Sequence, residues 1–211
     1  MSGPGLVEQL QSDALDQSVP VSTLLRKVKV AAVKLSLSDT LNWADSELKG
    51  YTDAVPDYRM ISGRSMAKTS FGDWLAIGGD ENVLSALRKR ALGQSISSLE
   101  ELMKSDERNL MMPYPPSVVS RLGLDWTEAA LFISTSNIAA VIDHVRNLVL
   151  DWALDLERAG ITGEGLRFTQ SEQRAAAASH INIQIDGANA RLNIGSEDHS
   201  LNLSGETAKS D

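Results

Sequence analysis

The chain reads as an α+β protein, mostly helical, with a small hairpin region in its middle and a β-strand tail at its C-terminus. Three observations predict this. Apolar residues recur at three- and four-residue spacing through the first fifty positions and again over 137–159, the period of an amphipathic helix. That period disappears over 59–74, where Gly63 and Gly72 interrupt the chain. Near the end, three short stretches alternate with period two, each around an apolar-Asn-apolar triplet: Ile181, Asn182, Ile183; Leu192, Asn193, Ile194; Leu201, Asn202, Leu203. The expected division is a helical domain over 1–178, a strand tail over 179–205 and a loose polar end over 206–211.

Taken in order, Leu6, Leu10 and Ala14 predict a short helix that ends near Gln17. Pro20 opens a second helix, striped by Val21, Leu24, Leu25, Val28, Ala32 and Leu35. A third follows a cap at Ser38 and Asp39, with Leu41, Ala44 and Leu48 inward, Trp43 flanking and Gly50 as a left-handed stop. Residues 82–92 predict another helix, and Ser97 to Glu100 a capping box before one more. Met111 to Pro116 reads as an ordered loop before a helical turn over 117–122, and 126–135 as a strand or a helix start. The longest helix is expected over 137–159, capped by Ser136, with Ile138, Val141, Ile142, Val145, Leu148, Val149, Trp152 and Leu156 on one stripe. Thr169 and Glu172 form a second capping-box pattern ahead of the last helix.

Composition narrows the function. The 211 residues carry no Cys, which excludes disulfides, thiolate zinc sites and cysteine nucleophiles. No basic and apolar leader begins the chain and no run of about eighteen apolar residues occurs, so a cytoplasmic protein without membrane contact is expected. A net charge of −8 disfavours nucleic acid as a partner of the whole molecule, since phosphate contacts need positive surface.

A longer pattern joins Arg26, then Trp43, Glu47, Leu48, Gly50 and Tyr51, then Pro56, Tyr58 and Arg59. Together with Val145, Arg146, Asn147, Trp152, Leu156, Glu157 and Gly160 further on, it resembles the AbiTii domain of bacterial abortive-infection proteins over most of residues 6–175. The resemblance implies bacterial cytoplasm and antiphage defence. It implies no catalytic mechanism. Lys49 departs from it where Asn is usual, which weighs against a role for that side chain. Read on physical grounds alone, Trp43 and Glu47 share a helix face, and Glu47 is placed to accept a charge-assisted bond from Arg59 or Arg26.

Other candidates have plainer explanations. His144, Asp151 and Asp155 lie along one flank of the longest helix, but their spacing matches no standard metal site, and a solvated flank accounts for them. Glu100, Glu101, Asp106 and Glu107 are acidic as a nuclease site would be, yet capping and solvation explain them better. Arg88, Lys89 and Arg90 form a basic trio, with Arg64 and Lys68 earlier in the chain, but no aromatic residues interleave with them in sequence. Gly160, Gly163 and Gly165 follow a helix and not a strand, and no Lys-Ser or Lys-Thr comes after, so a phosphate loop is rejected.

The tail is the strongest pointer to function. Its apolar positions, Ile181, Ile183, Ile185, Leu192, Ile194, Leu201 and Leu203, have almost no core of their own to pack on. Asn193 and Asn202, in equivalent places, are suited to amide ladders between copies. The alternative is docking of the tail on its own helices. The reading is an abortive-infection protein that works by homo-oligomerising through its C-terminal strands and contacting a phage or host protein, with no cofactor. The alternatives are a metal-dependent hydrolase or nuclease toxin and a nucleic-acid-binding module.

Overall fold

The computed structural model describes residues 3–105, 109–121, 128–179 and 181–183. Its fold is α+β. The helices α1 (Leu6–Leu15), α2 (Val21–Leu35) and α3 (Ser38–Lys49) open the chain. A single 3-10 turn, Asp57–Arg59, leads into β1 (Met60–Ser62), β2 (Arg64–Lys68) and β3 (Trp74–Ala76). Next come α4 (Glu81–Leu87), β4 (Lys89–Ala91), α5 (Ile96–Leu102), β5 (Asn109–Pro113), α6 (Pro116–Arg121) and β6 (Glu128–Ser134). The long α7 (Thr135–Arg158) and then α8 (Gln170–Ser179) follow. Among the described residues, no helix is long and apolar enough to cross a membrane.

Helices α1, α2 and α7 enclose the main core. Leu6, Leu10, Leu24, Leu25, Val28, Val145, Val149, Trp152 and Leu156 are buried there, as their 3.6-residue spacing requires. Buried Arg146 sits among the apolar residues of α7. Its Nη1 donates to the carbonyls of Asp13 (3.2 Å) and Asp16 (3.0 Å), and its Nη2 to that of Val19 (2.6 Å). One guanidinium thus gathers carbonyls at the end of α1 and in the link to α2, that of Asp16 also accepting from Val19 N at 3.1 Å.

The strands form two antiparallel units. β1 pairs with β4, and a four-stranded sheet runs in the order β3-β2-β6-β5. Its inner face presents Ser65, Ala67, Ala129, Leu131 and Ile133, all buried. Gly63 divides β1 from β2 because the chain passes close to β6: a Cβ there would stand 2.4 Å from the Phe132 carbonyl oxygen.

Several expectations are corrected. Residues 82–92 are not one helix: α4 ends at Leu87, and Lys89–Ala91 is a strand held by β1. Met111 belongs to strand β5, because β6 supplies a full antiparallel partner over Asn109–Pro113. The cap of α5 is Ser95, whose Oγ accepts from Ser98 N, and not Ser97. The cap of α7 is Ser134, completed by Asn137 in a capping box, and not Ser136. On α3 the N-cap is Leu37, and Trp43 is core while Leu41 and Leu48 are half-buried. The inward face includes buried Glu47, a polar position that hid the stripe. Gly50 stops α3 at φ 94° and ψ 163°, a positive-φ conformation open essentially to glycine alone and not the left-handed helical one. The Thr169–Glu172 capping box is present, with Glu172 N donating to Thr169 Oγ1 (3.2 Å) and Thr169 N to Glu172 Oε2 (2.7 Å).

Residues 181–183 lie against the chain's own helices. Ile181 and Ile183 are half-buried on the core. Trp152 Nε1 donates to the Ile181 carbonyl and Ile183 N to Thr40 Oγ1, both at 3.4 Å. The other positions singled out for assembly, Ile185, Leu192, Asn193, Ile194, Leu201, Asn202 and Leu203, fall outside the described residues, as do Asp106 and Glu107.

Candidate functional site

The motif residues converge at the C-terminal end of α3. Glu47, on its last turn, is fully buried, and so is Arg59 at the end of the 3-10 turn. The Oε1 atom of Glu47 accepts from Tyr58 Oη (2.6 Å), Tyr51 Oη (2.7 Å) and Arg59 Nε (3.0 Å). Its Oε2 accepts from Arg59 Nη2. The guanidinium therefore meets the carboxylate side by side, the geometry that gives such pairs their strength. Trp43 Nε1 donates to Tyr58 Oη at 3.0 Å, which leaves that hydroxyl both donor and acceptor.

Arg59 ties this centre to the second half of the domain. Its Nη1 donates to the carbonyls of Leu92 and Gln94, each at 2.8 Å. Tyr51 N donates to the Gly93 carbonyl at 2.8 Å. Gly50 lies beneath this contact, where a Cβ would be 2.8 Å from the same Gly93 oxygen. Glycine is needed at position 50 for both its backbone angle and its clearance. Pro56 sets up the turn that returns Tyr58 and Arg59 to α3, since Arg59 N donates to its carbonyl at 2.9 Å. Arg26 is exposed on α2 and does not join, so Arg59 is the partner of Glu47.

The electrostatics follow from burial. Tyr51 and Tyr58 are pushed well above the ordinary tyrosine range, first by burial and then by the Glu47 charge beside them. Arg59 is held more firmly protonated than usual, because Glu47 overrides the opposing effect of burial. Both oxygens of Glu47 are occupied by donors. The arrangement clamps a helix end to a loop, with four donors gathered on one carboxylate.

One edge of the clamp reaches the surface. His144, exposed on α7, stacks on the Tyr58 ring with centroids 4.5 Å apart. Tyr58, Met60, Ile61, Ser62, Asn137 and His144 line a cleft of about 410 Å³ there. The structure does not bring His144, Asp151 and Asp155 together. Asp155 pairs with Arg158 at 2.6 Å, and Asp151 is exposed elsewhere on α7. Among the described residues, no three His, Asp or Glu side chains gather as metal ligands would. Glu100 instead caps α2, accepting from Ser22 N at 3.2 Å, and Glu101 pairs with Lys104.

Sequence reasoning missed two members. Arg146 was seen as part of a motif but not as a cap; a cation in the centre of an apolar stripe is the signal that marks it. The Tyr58–His144 stack had no such signal, because it joins two elements distant in sequence.

No curated protein and no solved structure matches the chain. The family model AbiTii matches residues 5–181, a span that takes in the Trp43–Arg59 clamp, Arg146 and the whole described core. The chain therefore belongs to the AbiTii family.

Proposed function

We propose that this protein acts in abortive-infection defence against phage, in the bacterial cytoplasm, and that it works by assembling through its C-terminal strands and engaging a phage or host protein. Family membership supports the defence role. The observation that carries the assembly step is where the family match stops. It ends at residue 181, and the triplets at 192–194 and 201–203 follow as an addition to the shared domain. Apolar alternation with matched Asn residues is a composition suited to pairing between chains. With Ile181 and Ile183 half-buried on their own core, Ile185 and the two later triplets carry the intermolecular contact.

The experiment compares the full chain with one ended at residue 183. Light scattering after size exclusion gives the mass, circular dichroism the helix content, and plating efficiency the protection of cells that express each form. The full chain is expected to be an oligomer that protects. The shortened chain is expected to be a monomer that keeps its helices and protects no longer. A full chain that remains a single subunit at high concentration overturns the assembly step. Unchanged plating with the full chain against a broad phage panel overturns the defence role.

A further inference from the structure

We infer that the outer face of the four-stranded sheet is a binding platform for single-stranded nucleic acid. The basic residues lack aromatic neighbours in sequence, but the strand register supplies them. Lys68 on β2 lies directly opposite Trp74 on β3, and Arg64 lies opposite Phe132 on β6. Period-two alternation puts these four on one face with Met66 and Met111, while Ser65, Ala67, Leu131 and Ile133 face the core. The result is a cation-aromatic interleaving assembled from three strands.

The geometry suits bases and phosphates. Trp74 and Phe132 are half-buried, with ring centroids 5.0 Å apart at 68°. Lys68 Nζ stands 5.9 Å from the Trp74 ring centroid. Trp74, Met111, Pro113, Val119, Glu128 and Ala130 line a cavity of about 440 Å³ where α6 overhangs the sheet, a recess of mixed polar and apolar lining next to the indole. Gly63 N donates to the Arg88 carbonyl at 2.9 Å, but Arg88 pairs with Glu81 and Arg90 Nη1 donates to the Pro113 carbonyl, so the cations of this face are Arg64 and Lys68. On the strands of this face Glu128 is the one carboxylate, set against Arg64 and Lys68. Its contact with Lys68 is a loose, exposed one at 3.4 Å. The face is therefore locally positive on a chain whose net charge is −8.

Unpaired bases offer flat faces to Trp74 and Phe132, and the backbone phosphates run past Arg64 and Lys68. A duplex hides its base faces and cannot use the aromatic half of the surface. The platform lies on the sheet, apart from the tail, so it holds or fails independently of the assembly step.

Fluorescence anisotropy of a labelled oligouridylate and a labelled oligothymidylate, titrated with the full chain at low salt, tests this. Saturable binding is expected, weakening as salt rises. Trp74→Ala is expected to weaken it about tenfold, the usual effect of losing one base stack. Arg64→Ala, at an exposed position, is expected to weaken it and to flatten the salt dependence by about one phosphate contact. Phe71→Ala, on the β2–β3 turn and 94% exposed, is expected to leave it unchanged. Preference for the uridylate assigns RNA, through its 2′-hydroxyls, and equal or better binding of the thymidylate assigns single strands in general. If Trp74→Ala fails to fold, Arg64→Ala decides. No anisotropy change at low salt overturns the proposal. So does a duplex that competes as well as a single strand, or an Arg64→Ala chain that binds with the parent's affinity and salt slope.

Discussion

Replacing Glu47 by Met tests whether the clamp holds the domain together. The carboxylate receives four donors: Tyr51 Oη, Tyr58 Oη, Arg59 Nε and Arg59 Nη2. Removing it leaves a fully buried guanidinium without its counter-ion, although Nη1 keeps the Leu92 and Gln94 carbonyls. Breaking a buried pair from one side costs about 3–5 kcal/mol. For a chain of this length each kcal/mol lowers the melting temperature by roughly 2–4 °C, so a fall of about 6–20 °C is expected. Arg59→Met should fall comparably, because it strands the carboxylate. The double variant buries no unpaired charge, so it should be destabilised by less than the sum of the singles, with a coupling of at least about 2 kcal/mol. Differential scanning calorimetry on the four proteins measures all of this. A Glu47→Met chain melting within about 2 °C of the parent, or strictly additive singles, refutes the assignment of the clamp as a structural centre.

Three further outcomes follow from the same geometry. Tyr51 and Tyr58 titrate above their ordinary value near 10 when folded, so their contribution is complete below that pH and is lost as pH climbs past it; thermal melts from pH 8 to 11 should show falling stability, and Tyr51→Phe/Tyr58→Phe should flatten the fall. Gly50→Ala forces a side chain into φ 94° and against the Gly93 oxygen, and should cost about 1–3 kcal/mol in urea unfolding, without change in m. Arg146→Met leaves the Asp13 and Val19 carbonyls without this donor, that of Asp16 keeping Val19 N, and should cost about 2–3 kcal/mol, with faster amide exchange at the α1–α2 link.

The elements legible from sequence were those whose burial follows one period. The stripes of α2 and α7 are clean because one face of each helix meets the core. α3 was misread in its face because buried Glu47 breaks the apolar pattern, and only its partner Arg59, twelve residues on, makes that burial tolerable. β4 and β5 were missed because each is short and owes its existence to a strand far away in sequence, β1 for one and β6 for the other. The clamp was legible as a spacing of residue types, down to the alternative partners of Glu47. The sheet platform was not, because its aromatics and cations become neighbours only through register.

The attachment of residues 181–183 has a mechanical consequence. The strap is pinned to Thr40, in the first turn of the helix that carries Glu47, and to Trp152, in the C-terminal half of the longest helix. A pull applied at residue 183 is resisted by these two hydrogen bonds and by the packing of Ile181 and Ile183 on the core. Tension at residue 183 is therefore shared between the longest helix and the Glu47 helix, whose far end the Arg59 guanidinium holds fast.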